Sequence, residues 1–256
     1  MFKAFDLTGR TAVVTGGNGG IGYGMAQGLL EAGAHVVIWG SNPDKTAKAK
    51  AALAASGRVE AVVCDVGDEQ QVENAWAESV KLVGGRVDSV FANAGVSSKG
   101  PTPIINMDYE EFRRVQRINV DGVFFTLRAG ARHMADHGQG GSLVATASTA
   151  AIEGAARNSH YGASKGAVTS MVRALAVELA RHKVRVNSIL PGWIVSDMTA
   201  RSIGDEKFSG AVMPRIPARR WGTMEDFAGV AVYLASDASS YHTGEQFVID
   251  GGYTKF

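Results

Sequence analysis

Seven short runs of apolar, strand-favouring residues recur along the chain: Thr11–Thr15, His35–Trp39, Glu60–Asp65, Asp88–Asn93, Ser142–Ser148, Val184–Leu190 and Glu245–Asp250. Their apolar positions are nearly continuous rather than alternating, the pattern of parallel strands buried on both faces. Longer helix-favouring segments separate them, at 23–33, 42–56, 68–83, 108–136 and 161–182. Gly33 marks a helix stop and Pro43 a helix start. Such alternation predicts right-handed crossovers and an α/β architecture, a doubly wound parallel sheet flanked by helices. No repeat, low-complexity linker or composition break divides the chain, so residues 1–256 are expected to form one domain. The stretch 197–220 fits the alternation least and is expected to be an excursion over a site.

The first strand runs directly into TGGNGGIG, Thr15–Gly22, in a chain with 32 glycines among 256 residues, well above the usual ~7%. A helix is expected to begin near Ile21. Free backbone N–H groups and the helix dipole would then point the same way, toward a phosphate. Side chains would block that approach, which is a reason for glycine. Taken alone, the fragment also fits a tight turn with no ligand.

Charge changes the picture little but excludes something. With 26 basic and 25 acidic residues and no long charge run, neither nucleic acid nor an anionic membrane is the expected partner. The single cysteine, Cys64, cannot form an internal disulfide, which suits a reducing compartment. The opening MFKAFDLTGRTAVV lacks a long apolar core, and no apolar stretch approaches the ~18 residues of a membrane span. A soluble cytoplasmic protein is expected. His133 and His137 stand at i,i+4 spacing, but no third ligand accompanies them, so no metal is expected.

The glycine spacing is Thr15-Gly16-x-x-x-Gly20-Ile21-Gly22 rather than the common G-x-G-x-x-G. It is followed by NAG at Asn93–Gly95, INV at Ile118–Val120, YGASK at Tyr161–Lys165, PGWIVSDM from Pro191 and LASDASSYHTGEQFVIDGG near the C-terminus. In this order and spacing the chain resembles the classical short-chain dehydrogenases/reductases over essentially its whole length. The resemblance implies a Rossmann-type fold and a nicotinamide dinucleotide on Gly16, Asn18, Gly20, Ile21 and Gly22. It adds Asp65 and Val66 at the adenine, then Asn93, Ala94 and Gly95. Pro191, Gly192, Ile194 and Ser196 would lie beside the carboxamide. It implies a catalytic set of Asn119, Ser148, Tyr161 and Lys165, a substrate pocket touched by Glu153, His160 and Trp193, and a homotetramer.

The chemistry of that set is intelligible residue by residue. Tyr161 and Lys165 are four apart in a helical pattern, hence on one face. A phenol near its ordinary pKa of ~10 is a poor base at neutral pH. A neighbouring ammonium and an oxidised nicotinamide both favour the phenolate. Alone, the same spacing also fits a surface pair. Ser148, ending a strand, would orient the substrate oxygen, or merely cap the next turn. Asn119 among Ile118, Val120 and Val123 needs its hydrogen bonds met, and the resemblance gives it a water linked to Lys165. Tyr161 would pass a proton to a carbonyl oxygen while Lys165 binds the nicotinamide ribose.

Cofactor choice departs from the family pattern. After the second strand the acid that would accept the ribose hydroxyls of NAD is missing, with Gly40 in its place. The following position is Ser41 rather than arginine. Ser41, Asn42 and Lys45 could still donate to a phosphate, so NADP(H) is favoured over NAD(H). Within the family the C-terminal half is most similar to 3-oxoacyl-thioester reductases and sugar or polyol dehydrogenases. That resemblance implies a ketone or secondary alcohol substrate, a 3-oxoacyl thioester first and a sugar or polyol as the alternative. The competing class is a dinucleotide-binding sensor without catalysis; retention of both Tyr161 and Lys165 argues against it.

Overall fold

A computed structural model describes residues 3–255. All seven expected strands form, at β1 (Thr11–Thr15), β2 (His35–Gly40), β3 (Val59–Val63), β4 (Ser89–Ala92), β5 (Gly141–Thr146), β6 (Val184–Pro191) and β7 (Gln246–Ile249). They make one sheet in the order β3-β2-β1-β4-β5-β6-β7, with every pairing parallel. Chain direction across the sheet reverses between β1 and β4, the switch point at which open α/β sheets place ligands.

The near-continuous apolar runs are explained by two cores. Alternate residues of each strand face opposite layers. Val13, Val37, Trp39, Val90 and Leu143 pack under α3 (Glu69–Leu82), α5 (Gly122–His137) and α6 (Ser159–Leu179). Ala12, Val14, Val36, Ile38, Phe91 and Val144 pack under α1 (Gly20–Glu31), α2 (Pro43–Leu53) and α9 (Ala228–Ala235). Edge strand β7 is only half-buried.

Two elements differ from the sequence expectation. The helical run 108–136 is interrupted: α4 (Tyr109–Gln116) passes through a π-turn at Arg117–Asp121 before α5. Such a turn widens the hydrogen-bond ladder by one residue and often marks functional sites. Helix α9 has no counterpart in the expected elements. It is almost wholly apolar, which periodicity alone cannot separate from a strand. It exists because α1 can approach it: a Cβ on Gly24 would stand 2.0 Å from the Met224 oxygen, and one on Gly28 2.7 Å from Ala228 Cβ. Residues 197–220 hold the short helices α7 (Ala200–Ile203) and α8 (Glu206–Val212) and a 3-10 turn at Met213–Arg215.

Candidate active site

A cleft of about 400 Å³ opens over the carboxyl ends of the central strands. Its floor is pinned by short polar contacts. The Thr15 hydroxyl oxygen accepts the N–H groups of Asn93 and Ala94, both at 2.9 Å. Asn93 Nδ2 donates to the Thr15 carbonyl at 3.1 Å, and Thr146 Oγ1 donates to Asn93 Oδ1 at 3.0 Å. The ends of β1, β4 and β5 are thereby held in one register. Gly16 and Gly20 take positive φ, +67° and +52°, a region costly for any residue with a Cβ. Gly22 is a packing glycine, since a Cβ there would lie 2.3 Å from the Gly16 oxygen. The loop lines the cleft with Gly16, Asn18, Gly19 and Gly20, three of them without a side chain, and with Ile21 at the start of α1.

At the end of β2 the structure accounts for the missing acid. A Cβ at Gly40 would come within 2.2 Å of Asn18 Nδ2 and 2.4 Å of Thr46 Oγ1. Those two atoms hydrogen-bond each other at 3.1 Å. Ser41 lines the cleft and Asn42 does not; Asn42 Oδ1 caps α2 by accepting Lys45 N–H at 2.9 Å. That bond engages only the carboxamide oxygen of Asn42, at the helix N-terminus; the Nδ2 group expected to donate to a phosphate takes no part in it. Asp65 lines the cleft beside Val66, with Oδ2 accepting from Arg117 at 3.0 Å and Oδ1 from Gly67 N–H at 3.0 Å.

On the other side α6 presents Tyr161 and Lys165 to the same cleft. Lys165 is 3% exposed, and its Nζ donates to the Thr146 carbonyl at 2.8 Å. The ammonium stands 5.7 Å from the centre of the Tyr161 ring. Burial pushes the lysine down to about 8. Burial also raises the Tyr161 phenol, and the Ser148 hydroxyl beside it pulls the other way. In the protein alone, then, the phenol keeps its proton at neutral pH. The lowered phenol expected from Lys165 is not a property of the chain alone, because desolvation of the phenolate dominates. Ser148 lines the cleft and also accepts Ala150 N–H at 3.2 Å.

Asn119 braces the site from behind. It is fully buried in the π-turn, with Oδ1 accepting Val96 N–H at 2.8 Å and Nδ2 donating to the Val96 carbonyl at 3.0 Å and to Ser164 Oγ at 3.1 Å. Gly95 leaves room for it: a Cβ there would approach Asn119 Oδ1 to 3.2 Å and Lys165 Nζ to 3.5 Å. Pro191, Gly192, Ile194 and Ser196 complete the wall after β6.

The three expected substrate contacts do not line the cleft. His160 is 1% exposed and turns toward α4, its Nε2 3.9 Å from Glu111 Oε1. It is adjacent to Tyr161 in sequence, but neighbours on a helix point about 100° apart. Trp193 packs edge-on against Phe208 of the excursion, with centroids 4.8 Å apart. Glu153 is half-buried, its carboxyl raised by burial and drawn down by Arg215. Conversely, Thr146, Asp197, Met198 and Thr199 line the cleft without having been singled out. Thr146 carried a signal, as the polar residue ending a buried apolar strand. The others lie on the irregular excursion and carried none. His133 Nε2 accepts Val87 N–H at 3.0 Å, and among the described residues no cluster suited to a metal exists. No described helix is long and apolar enough to cross a membrane.

Residues 16–254 match the family model described as enoyl-(acyl carrier protein) reductase. The chain is 36% identical over 258 residues to a gluconate 5-dehydrogenase of Gluconobacter oxydans (strain 621H), covering 98% of this chain and 96% of that one. The fold superposes with TM-score 0.93 on a short-chain type dehydrogenase/reductase from Mycobacterium marinum, at 38% identity and 98% coverage of both chains. A gluconate 5-dehydrogenase from Burkholderia cenocepacia J2315, in complex with NADP and tartrate, also gives TM-score 0.93, at 32% identity over 99% of this chain and 98% of that one.

Proposed function

The chain belongs to the short-chain dehydrogenase/reductase family of NAD(P)-dependent oxidoreductases that interconvert alcohols and ketones, and on that premise we propose that it oxidises or reduces a sugar acid or polyol at a secondary carbon, with Tyr161 as the acid/base. The observation that carries the reading is the meeting of Tyr161, Ser148 and Lys165 in one cleft with a bare glycine loop. Gluconate 5-dehydrogenases among the relatives favour a sugar acid over the 3-oxoacyl thioester expected first.

The residues present fit a nicotinamide dinucleotide. Bare backbone at Gly16, Gly19 and Gly20 and the start of α1 suit its pyrophosphate, and Lys165 has two N–H bonds left beyond its bond to Thr146 for a ribose diol. When bound, that cofactor supplies or accepts the hydride. The protein supplies position and the proton. In the reductive direction the protonated Tyr161 donates to the carbonyl oxygen, and Ser148 holds that oxygen in line. In the oxidative direction the same phenol oxygen must first be deprotonated. Lys165 holds a positive charge next to the ring, which favours the phenolate, and Asn119 fixes the loop through Val96 that backs the lysine. Of the two dinucleotides, NADP(H) is favoured, because no carboxylate projects from the end of β2 to repel a 2′-phosphate. A homotetramer is part of this reading, and Tyr109, Phe124 and Val177 leave apolar surface on the helices that would form its contacts.

A panel of aldonates, their keto acids, polyols and a 3-oxoacyl thioester, assayed by nicotinamide absorbance with both cofactors, tests the reading. Turnover of a sugar acid at least tenfold above the thioester in kcat/KM is the expected result. Preference for the thioester would overturn the substrate class.

A further inference from the structure

Lys45, in the first turn of α2, reaches Asp197 at the start of the excursion, with Nζ 2.6 Å from Oδ2. Both side chains line the cleft. The pair stands between the glycine loop and the end of β2: a Cβ on Gly19 would lie 3.0 Å from Lys45 Nζ, and Gly40 and Ser41 share the same wall. In a doubly wound fold this is where the adenosine ribose hydroxyls lie.

The charges along the cleft make the pair informative. Its lining holds two cations, Lys45 and Lys165, and two carboxylates, Asp65 and Asp197. Lys165 is bound to Thr146 beside the tyrosine, and Asp65 is paired with Arg117. Lys45 is therefore the one cation that the lining offers at the ribose end, and Asp197 is its partner. No acid can take the usual place after β2, because Asn18 and Thr46 fill that space. Discrimination between a ribose hydroxyl and a ribose phosphate must come from elsewhere, and this pair is what stands there.

We propose that Lys45 is the ligand of an adenosine 2′-phosphate, and that Asp197 holds its ammonium until the phosphate arrives. The inference rests on the dinucleotide reading above. The side chains are 46% and 89% exposed, so their mutual attraction is weak and easily exchanged. A phosphate carries close to two negative charges and three acceptor oxygens, which makes it the stronger partner for the ammonium. Once displaced, Asp197 faces the phosphate as a like charge and its end of the excursion is driven off the glycine loop. A 2′-hydroxyl carries no charge to compete and leaves the pair closed. The same contact thus reads the cofactor's phosphate and reports it to the segment beyond Ser196.

The test is calorimetric titration with 2′,5′-ADP and with ADP on the wild type, Lys45→Met, Asp197→Asn and the double variant, each checked for an unchanged melting transition. The wild type is expected to bind 2′,5′-ADP more tightly than ADP. Lys45→Met should weaken 2′,5′-ADP by tenfold or more with ADP within twofold. Asp197→Asn should tighten 2′,5′-ADP by two- to fivefold, and that gain should vanish in the double variant. Equal losses for both probes in Lys45→Met would place the lysine on a phosphate common to both and overturn the proposal. So would an Asp197→Asn gain that survives without Lys45. Failure of both probes to bind the wild type would instead remove the dinucleotide reading itself.

Discussion

The Lys165 ammonium, 3% exposed, has the Thr146 carbonyl at 2.8 Å as its hydrogen-bond acceptor and no carboxylate beside it. A buried charge without a counter-ion costs stability, which is why its pKa falls from 10.5 to about 8. The unfolded chain binds more protons than the folded one between those values, so this group's contribution to stability rises as pH rises from about 8 to about 10.5.

It follows that Lys165→Met, while abolishing turnover, should be more stable than the wild type at pH 7. The shift corresponds to about 3 kcal/mol, reduced by roughly 1 for the unpaired Thr146 carbonyl. The advantage should shrink above pH 8 and reverse before pH 10.5, where only the unpaired carbonyl remains and the variant should be roughly 1 kcal/mol less stable. Urea unfolding of both proteins at pH 7, 9 and 10.5 checks this. A difference that stays constant over that range would show that Lys165 is not charged and desolvated in the folded state.

Tyr161 carries its proton at neutral pH because burial raises the phenol. Alcohol oxidation should therefore accelerate as pH rises above neutrality, while carbonyl reduction should not. Tyr161→Phe should lose about 10²–10⁴-fold in kcat with cofactor affinity retained. A Phe variant with unchanged turnover would remove tyrosine from the mechanism.

Asn119 satisfies both backbone groups of Val96 and also bonds Ser164. Asn119→Ala would orphan buried groups at a cost of about 2–4 kcal/mol, and kcat should fall as the Gly95–Val96 segment behind Lys165 loosens. Chemical denaturation gives the first quantity and steady-state kinetics the second. Loss of activity without loss of stability would separate the amide's chemical role from its bracing role.

Two neighbouring substitutions at the end of β2 should behave differently. Ser41→Asp puts a carboxylate on the cleft wall and should shift preference toward NADH. Gly40→Asp drives its Cβ into Asn18 and Thr46 and should cost roughly 1–3 kcal/mol of stability from overpacking. Melting curves and the NADPH/NADH ratio of kcat/KM distinguish them. A folded, NADH-preferring Gly40→Asp would mean that the Asn18–Thr46 contact yields readily.

The five inner strands were legible because each is buried on both faces and must be apolar nearly throughout, and the edge strands β3 and β7, though partly exposed, keep enough of that pattern to be read. The glycine loop and the Tyr161–Lys165 pair were legible for a related reason: phosphate approach and one-face spacing impose residue types at fixed local intervals. Helix α9 was not, since an all-apolar helix loses its periodicity, and neither was the π-turn that aims Asn119 inward, since it changes hydrogen bonding without changing composition. The directions of His160 and Trp193 were not legible, because adjacency along the chain does not fix where a side chain points; His160 faces Glu111 of α4 and Trp193 packs on Phe208.

Local order, then, was enough to determine the α/β architecture, the glycine-rich loop and the helix that carries Tyr161 and Lys165, because each depends on residues within a few positions of one another. Strand order, the burial that pushes Tyr161 and Lys165 in opposite directions, and the meeting of Lys45 with Asp197, 152 positions apart, were decided only by the tertiary structure. Those properties depend on solvent exclusion and on distances through space, and neither is a function of spacing along the chain.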